Sequence, residues 1–243
     1  MKERLLELFF ERARVVSVQH AAKRFRKIRL TGPAIKDYEY QPGQQVRLQV
    51  NDVFAPSSWR AGLLRTYSVW THDETTLELC VLEHGVSGPG AEWARQVQPG
   101  DEVWLTKPEG RFTLRPDATY HLFIGEETAS VAFGSMLRAL PAGALYDAVV
   151  EVDSPADQLP LDTQANGRLT WLHRQGAPAA GSESLLTALR ELELPAGTSR
   201  VAYVAGEART VQAVRAQLVQ DRGWQRRSVL TKPFWTPGKR GLE

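Results

Sequence analysis

Arg65, Tyr67 and Ser68 lie within one short run, Arg65-Thr66-Tyr67-Ser68-Val69, whose composition is that of a strand. A second stretch, His84-Gly85-Val86-Ser87-Gly88-Pro89-Gly90-Ala91, is a glycine-rich turn that opens a helix, with Trp93 in its first turns. Together these types can hold a flat ring and a pyrophosphate. An arginine makes planar, charge-assisted contacts with phosphate oxygens. Tyr67, two positions on, shares its strand face and can cover a planar ring. Ser68 points to the other face, yet its backbone and hydroxyl can reach a heteroatom at a ring edge. Glycines let the backbone come close, and a helix start favours negative charge. His84 reads either as a contact to such a ligand or as a satisfied turn histidine.

Three later positions carry weaker signals. Gly125-Glu126-Glu127-Thr128 follows the apolar run Tyr120–Ile124, at a strand end where a nicotinamide would sit. No Gly-x-Gly-x-x-Gly turn is present there, and acids repel an anionic phosphate. Thr128 reads equally as a cofactor contact and as a helix cap. Gly206-Glu207 ends another strand, with Arg209 just inside the next helix. Arg209 reads as a phosphate ligand or as an exposed helix residue. Lys232-Pro233-Phe234-Trp235 follows the last strand and sets a cation beside two aromatics. Basic residues crowd two segments, Lys23 to Arg29 and Arg222 to Arg240, and the second holds no acid. In a chain of net charge +2 these fit a compact anion better than long nucleic acid, or are simply solvated faces. Lys232, Arg24, Lys239 and Arg240 are the candidate cations. The five histidines are scattered and the single Cys80 sits in an apolar run, so no metal cluster, iron–sulfur spacing or disulfide is expected.

The elements that must position these residues follow from periodicity. A short amphipathic helix is expected over residues 2–11. From Ala13 to about Pro116, six short strands near 15–18, 28–30, 46–50, 66–70, 77–82 and 103–106 are separated by turns such as Gln98-Pro-Gly-Asp101. That spacing predicts a small closed antiparallel barrel, interrupted by one helix at 91–96. From residue 117 strands and helices alternate: strands at 120–124, 144–152, 169–172, 200–205 and 228–231, helices at 128–140, 184–192 and 208–218. Alternation predicts an open, mostly parallel Rossmann-like sheet with flanking helices. The expected domains are therefore 1–116 and 117–243. No run approaches membrane-spanning length and no signal peptide is read, so a cytoplasmic monomer is expected.

The ordered set Arg65-x-Tyr67-Ser68, His84-Gly85…Gly88-Pro89-x-Ala91-x-Trp93, Gly125-Glu126-Glu127-Thr128-Ala129, Trp171-Leu-His-Arg174, Val204-Ala-Gly-Glu207 and Phe234-Trp235 resembles the siderophore-interacting proteins. These are FAD-dependent ferric-siderophore reductases of the ferredoxin-reductase superfamily. The likeness runs from about Arg12 to Trp235. It implies a flavin-binding barrel, then an NAD(P)H-binding-like α/β domain. By resemblance Arg65 meets the FAD phosphates, Tyr67 packs on the isoalloxazine and Ser68 bonds near its redox nitrogen. Thr66, Val69, His84, Gly85, Ser87, Gly88, Pro89, Gly90, Ala91, Trp93, Thr128 and Trp235 complete the cofactor set. Gly125, Glu126, Gly206, Glu207 and Arg209 line the crevice for NADPH or NADH, with ferredoxin as another donor. The ferric siderophore meets the basic residues. Glu126 stands where the family has Asp, Gly90 where it often has Ala, and Lys232-Pro233 where a Gly would be typical. Two alternatives are a general NAD(P)H:flavin or ferredoxin-type oxidoreductase and a flavoprotein that binds siderophore without turnover.

Overall fold

The computed structural model describes residues 10–50, 64–83, 88–195 and 199–239. The chain divides into two compact units, one ending at Thr113 and the other starting at Leu114.

In the first unit six strands close a barrel: β1 (Glu11–Ala22), β2 (Phe25–Thr31), β3 (Gln45–Gln49), β4 (Leu64–His72), β5 (Thr76–Leu82) and β6 (Glu102–Leu105). Around the barrel they run β1-β2-β5-β4-β3-β6, with antiparallel pairings. Alternation puts Ile28, Leu30, Val46, Leu48, Leu77 and Leu79 fully inside. Enclosing each such side chain contributes about 1.5–3 kcal/mol, so Leu79→Ala should cost about 2–5 kcal/mol through its cavity. Asp73 closes the β4–β5 hairpin by accepting from the amides of Thr75 and Thr76 at 2.8 and 2.7 Å. The helix α1 (Pro89–Gln96) follows β5 and sends Ala94 into the barrel core. Of the helix expected over 2–11, residues 2–9 lie outside the described residues, and Glu11 already belongs to β1.

The second unit is a five-stranded sheet of β7 (Tyr120–Glu126), β8 (Leu145–Val152), β9 (Asn166–His173), β10 (Arg200–Glu207) and β11 (Val229–Trp235). Its order is β11-β10-β7-β8-β9 and all four pairings are parallel. The helices α2 (Ser130–Arg138), α3 (Glu183–Glu191) and α4 (Ala208–Ala216) connect them. All of β7, and all of β10 beyond Arg200, is buried, which is why both read as unbroken apolar runs. Strand order reverses between β7 and β10, so the ends of these two strands flank the switch point.

Two local differences from the sequence expectations bear on the site. The helix expected from Thr128 begins instead with a 3-10 turn, Glu127–Ala129, and becomes α-helical at Ser130. The last strand does not stop at Thr231 but runs through Lys232-Pro233 to Trp235. Proline is tolerated because β11 is an edge strand, with one side that needs no N–H donors. Pro233 sits opposite Gly206, where the β10–β11 register shifts.

Candidate functional site

The first constellation is built on β4 and α1. Arg65 and Tyr67 pair with Leu48 and Val46 of β3 and so share a face, while Thr66 pairs with Arg47 on the other. Tyr67 is half-buried; its hydroxyl donates to the Gly90 carbonyl at 3.3 Å and its ring lies 5.7 Å from that of Trp93. Burial pushes the phenol well above its ordinary value, so it stays protonated. Gly90 lies against both side chains: a Cβ there would come within 2.7 Å of the Tyr67 hydroxyl and 3.1 Å of Arg65 Cγ.

The start of α1 suits an anion. Its N-cap, Gly88, is extended, has no side chain to cap the helix and faces open space. Pro89 brings no N–H, and the amides of Gly90 and Ala91 precede the first intrahelical bond, from Glu92 N–H to Gly88 C=O at 2.9 Å. Backbone N–H groups at a helix start beside a guanidinium are the donor set a pyrophosphate needs. The residues present therefore fit the phosphates of FAD. Ser68 and Val69 continue β4, Ser68 half-buried and Val69 fully buried. His84, Gly85 and Ser87 lie outside the described residues.

The second constellation is at the carboxyl ends of β7, β8 and β10. Glu126 is enclosed, 1% exposed. It accepts from the Thr128 amide at 3.0 Å, the Thr128 hydroxyl and Trp235 Nε1 at 2.9 Å. That last bond spans from β7 to β11, over Gly206 of the intervening strand. Gly206 has φ +128°, and a Cβ there would stand 2.7 Å from Glu126 Oε1. Only glycine leaves room for the carboxyl group. Burial pushes the Glu126 carboxyl up to about 7, against the three bonds that favour its charge. Thr128 is thus not the cap: Glu126 caps the turn, and Thr128 donates to it.

Glu207, fully buried, caps α4. Its carboxylate accepts from the amides of Arg209 and Thr210, each at 3.0 Å, the Thr210 hydroxyl at 3.1 Å and the Gly181 amide at 3.3 Å. Burial opposes its charge, but these donors outweigh burial and hold it below the usual carboxylate range. Arg209 is exposed in the first turn of α4, which fits the reading as an exposed helix residue. Gly125 packs so close that a Cβ would run into the Ala205 carbonyl.

Arg174, Glu151 and Ser182 were not singled out as site residues from sequence. Arg174 makes a two-pronged contact with Glu127, with Nη2 2.7 Å from Oε1, and lies 3.7 Å from Glu151. All three side chains are buried. Glu151 takes a bond from Ser182 Oγ at 2.6 Å. Burial acts against the Arg174 charge, yet the surrounding carboxylates raise its pKa further. The signal available was charged residues closing apolar strands, which demands internal partners.

The candidate cations are dispersed. Arg24 is in the β1–β2 turn, half-buried, and its carbonyl accepts from Glu83 N–H at 2.7 Å. Lys232 is half-buried on β11, Lys239 is exposed beyond it, and Arg240 lies outside the described residues. Cys80 is buried, and no described helix is long and apolar enough to cross a membrane.

Comparison with known proteins places these features. Residues 14–112 match the siderophore-interacting FAD-binding domain, and residues 118–238 match the family described as siderophore-interacting protein. The ferric vibriobactin reductase of Vibrio cholerae is 29% identical over 181 residues, 74% of this chain and 65% of that relative's length. A siderophore utilization protein from T. fusca superposes with a TM-score of 0.83 at 27% identity, covering 96% of this chain and 95% of the other. Phthalate dioxygenase reductase shares the fold, with a TM-score of 0.71 at 18% identity over 96% of this chain and 70% of that one. With a flavin-type barrel, a phosphate-ready helix start beside Arg65 and matches across both units, the chain belongs to the siderophore-interacting protein family.

Proposed function

We propose that this chain is an FAD-dependent ferric-siderophore reductase that releases Fe(II) for iron assimilation. The observation that carries it is the uncapped start of α1 against Arg65 and Tyr67. The family match and the vibriobactin reductase relative support it. Residues 1–116 form the FAD-binding domain and residues 117–243 the domain facing the electron donor.

Arg65 and the amides of Gly90 and Ala91 would hold the pyrophosphate; His84, Gly85 and Ser87, which lie outside the described residues, are further candidates from sequence. Tyr67, packed against Trp93, would cover the isoalloxazine, and Ser68 would offer a hydrogen bond to its edge. Bound FAD supplies a two-electron store discharged singly, so one loading reduces two Fe(III) to two Fe(II). Lys232 and Lys239 would gather the anionic ferric complex by charge, and Arg24 and Arg240 remain separate candidates from sequence. No side chain of the chain moves a proton to or from the iron. Ferrous iron binds oxygen-rich chelators weakly, so release follows reduction. The donor is a pyridine nucleotide or a ferredoxin, and the protein works as a cytoplasmic monomer.

The test is anaerobic absorbance. Protein loaded with FAD is bleached with dithionite, freed of excess reductant and mixed with a ferric siderophore beside a ferrous trap. The expected result is return of the oxidised flavin spectrum with about two trapped ferrous ions per flavin, by electron balance. Reduced flavin that persists in the presence of the ferric complex would refute the reading, as would failure of the protein to bind FAD.

A further inference from the structure

Sheets of this class hold a dinucleotide outside the strand carboxyl ends, its pyrophosphate on the N–H groups of a following helix. In the second unit three helices begin at that end, and side chains take amides at two of these starts and on the 3-10 turn that leads into the third. At α4 the Glu207 carboxylate takes the amides of Arg209, Thr210 and Gly181. On the turn leading into α2, Glu126 takes the Thr128 amide. At α3 the Ser182 hydroxyl accepts from the Leu185 amide at 3.2 Å and donates to Glu151.

Glu207 is already an anion, seated in a nest of three backbone donors and one hydroxyl. A phosphate brought to α4 meets both an occupied nest and a like charge, which costs it affinity. Glu126, Glu127 and Glu151 stand nearby against the single buried Arg174. Among the described residues no side chain caps α1 or α2 themselves, whereas α3, α4 and the 3-10 turn before α2 are capped by side chains. The strand-end residues do not fit a pyridine nucleotide's pyrophosphate.

We propose that Glu207, backed by Glu126, closes the strand ends of the second unit to dinucleotide phosphates, so that electrons come from a one-electron iron–sulfur protein in preference to NADH or NADPH. Two deliveries, with two protons from solvent, supply the two electrons that reduce two ferric ions. The donor assignment rests on the reductase reading; the closure to phosphate does not.

The experiment is calorimetric titration of the FAD-saturated full chain, whose α1 site is already filled, with ADP-ribose and with inorganic pyrophosphate, alongside Glu207→Gly and Glu207→Gln. Glycine is tolerated at an N-cap and uncovers the amides; glutamine keeps the shape and drops the charge. Wild type should show no saturable binding at micromolar ligand. Glu207→Gly should bind at least about tenfold more tightly, with Glu207→Gln between. Micromolar saturation of wild type would overturn the proposal even if neither variant folds, and so would folded variants that gain nothing. A second readout is the anaerobic rate of flavin bleaching. It should rise linearly with NADPH without a plateau and saturate with a reduced ferredoxin; a plateau at micromolar NADPH sinks the donor assignment. Failure of dithionite-loaded protein to reduce a ferric siderophore removes the reductase reading and leaves the ADP-ribose result standing.

Discussion

Replacing Glu126 with Gln should change how the stability of the second unit depends on pH. Glu126 is enclosed, and burial raises its carboxyl from 4.5 to about 7. A group with a raised folded pKa contributes stability that is complete below its unfolded value and lost as pH rises through the folded one. The window therefore runs from about pH 4.5 to about pH 7, and a difference near 2.5 units corresponds to roughly 3 kcal/mol. The charged neighbours on the surrounding elements are Glu127, Glu151, Arg174 and Glu207. They are present in both proteins and cancel in the comparison. Gln also sets an amide donor near the Thr128 N–H, a cost of about 1–3 kcal/mol that does not vary with pH. Urea unfolding of the wild type and Glu126→Gln should therefore be compared at about pH 5 and about pH 8. The wild type should lose roughly 2.5 kcal/mol relative to the variant between these conditions, since a small part of the loss precedes pH 5. A difference that stays constant within about 0.5 kcal/mol would refute the reasoning, because the carboxyl would then carry the same charge folded and unfolded.

Other substitutions test other contacts. Gly90→Ala drives a methyl to within 2.7 Å of the Tyr67 hydroxyl; FAD affinity should fall about tenfold in a fluorescence titration with far-UV dichroism unchanged, and full affinity would remove Gly90 from the cradle. Arg174→Met leaves buried carboxylates uncompensated and should cost about 3–5 kcal/mol in urea unfolding. His121 is enclosed, with its ring stacked at 6.1 Å on Tyr203 and its pKa depressed by burial. Its contribution is whole above 6.5 and lost as pH falls toward the lower folded value, so His121→Phe should flatten that acid-side decline. Lys232→Ala should weaken binding of an anionic ferric complex while barely changing reduction of a neutral quinone; equal losses on both would show that the residue does not act through substrate charge.

The barrel was legible because its strands are short, alternate and are punctuated by turns, and the sheet because β7 and β10 are apolar without a break. That Arg65, Tyr67 and Gly90 come together was legible because they fall on one strand face and the helix start that follows, and the structure puts them in contact. The strand-end network was not legible, because its partners come from distant segments: Trp235 meets Glu126 and Arg174 meets Glu127 across 109 and 47 positions. Lone acids at strand ends look alike in sequence whether they face a ligand or seal a helix start. Burial separates the two cases.

That distinction changes what a missing glycine fingerprint means. In sequence, its absence after β7 says only that a familiar phosphate turn is not there. In three dimensions Gly206 is spent on admitting the Glu126 carboxyl group, and Glu207 takes the amides that a phosphate would use. Glycine and helix starts are both present at the switch point, the two ingredients of a phosphate site, yet both serve carboxylates of the chain. The same two ingredients recur at α1, where Gly88 begins the helix and Gly90 packs against Tyr67 and Arg65. The two units thus differ in what stands at their helix starts: carboxylates of the chain at the switch point of the sheet, a guanidinium beside α1. Glu126 caps the turn before α2 and Glu207 caps α4, while no described side chain caps α1.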